Sequence, residues 1–203
     1  MYEKLIVQIF CDKEVGTAFY VAPDLLLTAW HTVESFKEGG KNVLKDVEGD
    51  LAFVVEKEYE DADVAVLKVQ GRSLEEYLPL LSHHIRIGES CITFGYPDTA
   101  KQNGLRLEGN IKQRVMGPTA DFNLQTDDTR DGYDYSGMSG APLFLGNQVV
   151  GVVIEQTGNS LNLVSVQKLN EIQVRGPANR NRTGIDINTS VNSTGCRGIT
   201  TEF

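Results

Sequence analysis

Apolar residues in this chain come in short runs rich in β-branched and aromatic side chains, each cut off by Pro, Gly or Asp. Leu5–Phe10, Gly16–Val21, Leu25–Thr28, Leu51–Val55 and Val64–Val69 form one set. Ser90–Phe94, Arg106–Lys112, Asp121–Gln125, Ala141–Leu145, Val149–Ile154 and Leu161–Ser165 form a second. Runs of this length and composition read as strands. The segments between them are too short for crossover helices, so the pattern predicts all-β barrels instead of alternating α/β units. Two helical departures are expected. Residues 32–36 can form one turn after His31, and Val166, Leu169 and Ile172 recur at helical spacing, which predicts a short helix over about residues 166–173.

The boundary between the two sets falls near Gly71 to Gly88, a stretch holding Pro79 and the polar pair His83-His84. The first barrel should therefore cover about residues 1–80 and the second about 86–165, within one unit over 1–175. Residues 176–203 are rich in Asn, Thr, Arg and Gly with few core formers, and read as a polar extension or linker. A chain of 203 residues can bury one substantial core or two small ones sharing an interface.

Charge and cysteine content exclude several functions. A net charge of −9 without a basic run offers nothing to release counterions from nucleic acid. No apolar stretch is long enough to span a bilayer, and the N-terminus lacks a signal-peptide core. Cys11, Cys91 and Cys196 show no metal-knuckle spacing and no disulfide framework, so a reducing cytoplasm is the expected setting. Asp127, Asp128 and Asp131 lack the alternating ligand pattern of a calcium loop. Neither a metal nor a cofactor is expected. The Asn-x-Ser/Thr triplets at Asn181, Asn188 and Asn192 carry no meaning without secretion.

Three segments carry chemistry. Ser139 lies in Tyr135-Ser-Gly-Met-Ser-Gly-Ala-Pro-Leu-Phe144, where small residues permit a tight, backbone-exposing turn. A serine hydroxyl is a poor nucleophile unless an imidazole takes its proton and a carboxylate holds that imidazole in one tautomer. Of the three histidines, His83 and His84 read as connector residues, whereas His31 ends the apolar run Leu25–Trp30 as a strand end does when it delivers a side chain to a cleft. Asp63 immediately precedes the buried run Val64–Val69, whereas Glu60 and Asp61 stand far enough ahead of it to remain in solvent. Each signal is weak alone. The order His31, Asp63, Ser139, each at a strand end or turn, is one in which such triads occur.

These segments resemble the chymotrypsin-like serine proteases. Gly16-Thr-Ala-Phe19 followed by Leu27-Thr-Ala-Trp-His31 is similar to the segment around that family's catalytic histidine, Asp63-Val-Ala-Val-Leu67 to the segment holding its aspartate, and Gly137-Met-Ser-Gly-Ala-Pro142 to its nucleophile turn. Ile92–Pro97 and Val149–Ile154 extend the resemblance over about residues 5–172, closest to bacterial intracellular members of the high-temperature-requirement or glutamyl-endopeptidase kind. Met138, Ala141 and Trp30 depart from the family pattern. Met138 stands where most members have Asp or Asn, which excludes activation by a freed N-terminal amine. Ala141 replaces a glycine and requires φ < 0.

The resemblance implies two perpendicular six-stranded antiparallel β-barrels of the chymotrypsin type with a short C-terminal helix. It further implies a serine endopeptidase with catalytic His31, Asp63 and Ser139, an oxyanion hole from the N–H groups of Gly137 and Ser139, and a protein or peptide substrate. Tyr133, Asp134, Tyr135, Ser136, Ile154, Glu155 and Gln156 would line the substrate pocket. Tyr133 stands where trypsins have an aspartate, so no Lys/Arg preference is implied. Two other readings stay open: a catalytically silent module of the same shape that binds peptide or protein, and an enzyme held latent until a partner or further domain remodels residues 133–138.

Overall fold

The computed structural model describes residues 2–36, 42–46, 49–128 and 133–175. Among the described residues, thirteen strands form two antiparallel sheets. The first holds Ile6–Cys11 (β1), Glu14–Ala22 (β2), Leu25–Ala29 (β3), Asn42–Asp46 (β4), Gly49–Leu51 (β5), Phe53–Tyr59 (β6) and Val64–Val69 (β7), in the order β5-β4-β1-β2-β3-β7-β6. The second holds Ser90–Gly95 (β8), Leu105–Arg114 (β9), Phe122–Thr126 (β10), Pro142–Leu145 (β11), Gln148–Thr157 (β12) and Ser160–Ser165 (β13), and closes as β10-β13-β12-β11-β8-β9. An α-helix, Val166–Arg175 (α1), follows.

The second sheet is the expected six-stranded barrel. The first differs: it has seven strands, and its edge strands β5 and β6 do not pair. Asn42–Asp46 was not legible as a strand because its Asn, Lys and Asp obscure the apolar pattern. It pairs with β1 and buries Leu44. The expected strand over residues 51–55 splits at residue 52 into the end of β5 and the start of β6. A 3-10 turn at Trp30–Thr32 contains His31, and the turn expected after it follows at residues 33–35, where Phe36 N–H donates to the Val33 carbonyl at 2.8 Å.

Strand alternation divides the apolar residues between two cores and a shared interface. In β2, Ala18 and Tyr20 enter the core of the first sheet, while Phe19 and Val21 face the interface. Strand β7 repeats this, with Ala65 and Leu67 on one side and Val64 and Val66 on the other. Both strands are buried on both faces, which is why they read as unbroken apolar runs. From the second sheet, Phe94, Phe144, Val152 and Ile154 join the interface, and Val166 and Leu169 of α1 cover it. A bulge in β12, where Leu143 pairs with Gly151 but Phe144 with Val149, shifts the alternation by one residue. Val150 and Val153 consequently face the barrel interior while Val152 and Ile154 face the interface.

The connector between β7 and β8 places Leu78 and Leu80 in the interface. His83 there pairs with Glu89, and His84 lies beside Arg114, which agrees with their reading as connector residues. The polar extension over 176–203, with its Asn-x-Ser/Thr triplets and Cys196, lies outside the described residues, as does Asp131. Among the described residues there is no cluster of metal-ligating side chains and no helix long and apolar enough to cross a membrane.

Candidate active site

The first sheet brings His31 and Asp63 together through strand pairing. Strands β3 and β7 end on the pair Ala29↔Val64, so the residue turn after β3 meets the residue before β7. Three hydrogen bonds follow: Trp30 N–H donates to the Asp63 carbonyl at 2.9 Å, His31 N–H to Asp63 Oδ1 at 2.8 Å, and His31 Nδ1 to Asp63 Oδ2 at 2.7 Å. Asp63 reaches this position in a left-handed conformation, φ +51°, which a short polar side chain tolerates better than a bulky one.

The Asp63 side chain is 14% exposed and the His31 ring 42%. With its carboxylate accepting at Nδ1, the neutral ring carries its proton there and leaves Nε2 free to accept. The hydrogen bond to Asp63 raises the imidazole pKa above the ordinary value of 6.5. Burial opposes this, and the charges of Asp63, Glu14 and Glu155 add to it.

The second barrel supplies Ser139 from the turn leading into β11. Gly140 N–H donates to the Val153 carbonyl and Val153 N–H to the Ala141 carbonyl, both at 2.8 Å, fixing the turn against β12. The first sheet holds it from the other side. Thr17 N–H donates to the Ser139 carbonyl at 2.8 Å, and Thr17 Oγ1 donates to the Gly137 carbonyl at 2.8 Å while accepting from Tyr96 N–H at 3.0 Å. Gly140 has φ +87°, and a Cβ there would lie 2.0 Å from the Thr17 carbonyl oxygen. Ala141 is not among the positive-φ residues, so its methyl group carries no such strain.

The same turn orients two amides. The Ser136 carbonyl accepts from Asp98 N–H at 2.7 Å, and a trans peptide points the following N–H, that of Gly137, the opposite way. Among the described residues, neither the Gly137 nor the Ser139 N–H has a hydrogen-bond partner.

His31 and Ser139 face one cavity of about 370 Å³. The Ser139 hydroxyl donates to the Ile154 carbonyl at 3.0 Å, and no hydrogen bond joins it to His31 among the described residues. Of the pocket residues expected from sequence, Tyr135, Ser136, Ile154, Glu155 and Gln156 line this cavity. Tyr133 and Asp134 do not. The Tyr133 hydroxyl is engaged by Thr99 and its ring packs on Tyr135 at 4.9 Å, while Asp134 Oδ1 accepts from both the N–H and the hydroxyl of Ser136. That pairing lowers the Asp134 pKa, chiefly through the Ser136 hydroxyl.

Sequence reasoning missed the lining contributed by Met138, Val153, Gly158 and Leu161. The bulge in β12 hides Val153, because simple alternation from Val149 would assign it to the interface. Thr17 was also missed as a brace, although its place in the Gly16–Phe19 motif was a signal.

Residues 16–152 match the trypsin-like peptidase domain. No curated protein matches the chain in sequence. Among solved structures, the inactive form of the Rv3671c protease is similar at TM-score 0.69 and 21% identity, over 85% of this chain and 89% of that one. The active form of the same protease, from M. tuberculosis, gives 0.68 at 21% identity, over 85% and 81% of the two chains. The MamO protease domain from Magnetospirillum magneticum gives 0.63 at 18% identity, over 84% of this chain and 96% of that one. These likenesses show the fold, and the match over residues 16–152 establishes that the chain belongs to the trypsin-like peptidase domain family.

Proposed function

We propose that this chain is a serine endopeptidase working through an acyl-enzyme. The observation that carries this reading is the convergence of the His31–Asp63 pair from one sheet and Ser139 from the other on a single cavity. In the first step Ser139 Oγ bonds to the substrate carbonyl carbon as its proton passes to His31 Nε2, and Asp63 stabilises the imidazolium. The oxyanion is received by the N–H groups of Gly137 and Ser139. The C–N bond then breaks as His31 returns the proton to the leaving amine. Water attacks the ester, giving its proton to His31, and Ser139 departs with that proton. The hydroxyl must first leave the Ile154 carbonyl for His31, a rotation about χ1 between staggered wells.

One observation favours a second reading. Because the Ser139 hydroxyl is bonded to Ile154 and not to His31, a latent enzyme awaiting a partner or further domain, or a silent peptide-binding module, would show the same arrangement. A fluorophosphonate probe separates these readings. Labelling of the wild-type chain that Ser139→Ala abolishes supports the enzyme. No labelling, with peptide binding retained, overturns it in favour of the module, and labelling that needs an added partner identifies the latent form.

A further inference from the structure

Helix α1 touches both halves of the molecule. Its N-terminus is fastened to the β9–β10 connection of the second barrel. The Ser165 hydroxyl accepts from Lys168 N–H at 3.1 Å, and the Asp121 carboxylate accepts from both the N–H and the hydroxyl of Ser165. Lys168 then reaches back to the same connection. Its half-buried ammonium lies within hydrogen-bond reach of four consecutive carbonyls, those of Gly117 at 3.4 Å, Pro118 at 2.6 Å, Thr119 at 3.2 Å and Ala120 at 3.5 Å. An ammonium has three N–H donors, so residues 117–120 offer it more acceptors than it can use.

The opposite side of the same helical turn meets the first sheet. Val166 and Leu169 share the interface core with Ala62 and Val64, all four at most 2% exposed, and α1 packs against the 3-10 turn Glu60–Ala62. Ala62 and Val64 flank Asp63. That residue holds φ +51°, a conformation that persists only where its surroundings enforce it. Asp63 N–H donates to the Glu60 carbonyl at 3.0 Å, and packing from α1 adds to that hold. The carboxylate acts on the site through its bonds to His31 at 2.8 and 2.7 Å, and such bonds weaken steeply when misaligned.

Resting on the endopeptidase reading above, we infer that α1 is a clamp that sets Asp63 against His31, with Lys168 and Leu169 as its positioning residues. Lys168 fixes the helix to the second barrel, and Leu169 passes that hold to the turn before Asp63.

The test follows the His31 imidazole by NMR titration in the full chain, alongside kcat and KM on a cleaved peptide. Lys168→Met keeps the stem and removes the ammonium, whereas Leu169→Ala opens the packing against the turn. Both should titrate His31 at a lower midpoint than the wild type, because the bond to Asp63 is the chief cause that raises it, while the charges of Glu14 and Glu155 stay in place. The direction is diagnostic. Removing the Lys168 charge through space alone would raise the midpoint, since a cation disfavours protonation. In both variants kcat should fall about tenfold with KM little changed, within the roughly 100-fold that a 1 Å misplacement far from the chemistry can cost. Urea unfolding reports whether each variant is folded. Should Leu169→Ala fail to fold, Leu169→Val trims the same packing and should shift the midpoint in the same direction.

A midpoint unchanged or raised, or an unchanged kcat, in folded Lys168→Met overturns this inference and leaves the endopeptidase reading intact. Absence of Ser139-dependent hydrolysis by the wild type overturns that reading instead, and the titration alone then decides whether α1 holds Asp63 in place.

Discussion

The Thr17 hydroxyl donates to the Gly137 carbonyl at 2.8 Å, joining β2 of the first sheet to the turn that carries Ser139 in the second. The same oxygen accepts from Tyr96 N–H, so one buried threonine ties together three segments far apart in sequence. Thr28 Oγ1 in turn donates to the Thr17 carbonyl at 2.8 Å, bracing that residue from β3. The site therefore depends on the contact between the sheets as much as on either sheet alone.

Thr17→Val keeps the shape and removes the hydroxyl. The Gly137 carbonyl and Tyr96 N–H lose their partner, at a cost of about 1–3 kcal/mol for each buried polar group left unsatisfied. Urea unfolding should show that loss. Fluorophosphonate labelling should slow as well, because the Gly137 amide is no longer held in place. Unchanged stability and labelling would show that the hydroxyl is dispensable.

Asp63→Asn tests the orientation of His31. With its oxygen on the His31 N–H, the amide turns its NH2 group to Nδ1, donating where the carboxylate accepted and selecting the wrong tautomer, so kcat on a cleaved peptide should fall by about 10⁴-fold. The pH profile adds a sign. His31 must be neutral to take the serine proton, and its pKa is raised chiefly by the bond to Asp63, so wild-type kcat/KM should climb with pH through a midpoint above 6.5. Without that bond burial dominates, and residual activity should rise through a lower midpoint.

Gly140→Ala should destabilise the turn before it affects chemistry. The added Cβ would sit 2.0 Å from the Thr17 carbonyl oxygen at a residue with φ +87°, so the backbone must move. The cost should be at least about 1–3 kcal/mol from the backbone conformation alone. A lowered urea midpoint is the expected result. A Gly146→Ala control also has positive φ, +62°, but meets nothing within 4 Å and should lose less.

Cys91 should resist thiol reagents in the folded chain. It is 2% exposed, and burial pushes its pKa up to about 11, leaving little thiolate at neutral pH. Peptide mapping after alkylation should find Cys91 unmodified until denaturant is added. Rapid modification under native conditions would contradict its burial.

Much of this site was legible because its residues sit where local patterns change. His31 ends an apolar run, Asp63 opens one, and Ser139 lies among small residues that only a tight turn needs. The left-handed Asp63 was not legible, because nothing local announces φ > 0 at a non-glycine residue. Nor was the displacement of Tyr133 and Asp134 from the cavity, since it depends on Thr99 and Ser136 taking up their polar groups.

The amino-acid sequence by itself determined most of the strands, their division into two sets and the three residues that converge, because periodicity and turn chemistry are local. Tertiary structure decided what lies between those residues. The strand pair Ala29↔Val64 aligned His31 with Asp63, Thr17 fastened the serine turn to the opposite sheet, and the bulge in β12 set which side chains face the cavity. Each of these is a contact between segments distant in the chain, and its geometry follows from register and packing, which no local pattern encodes.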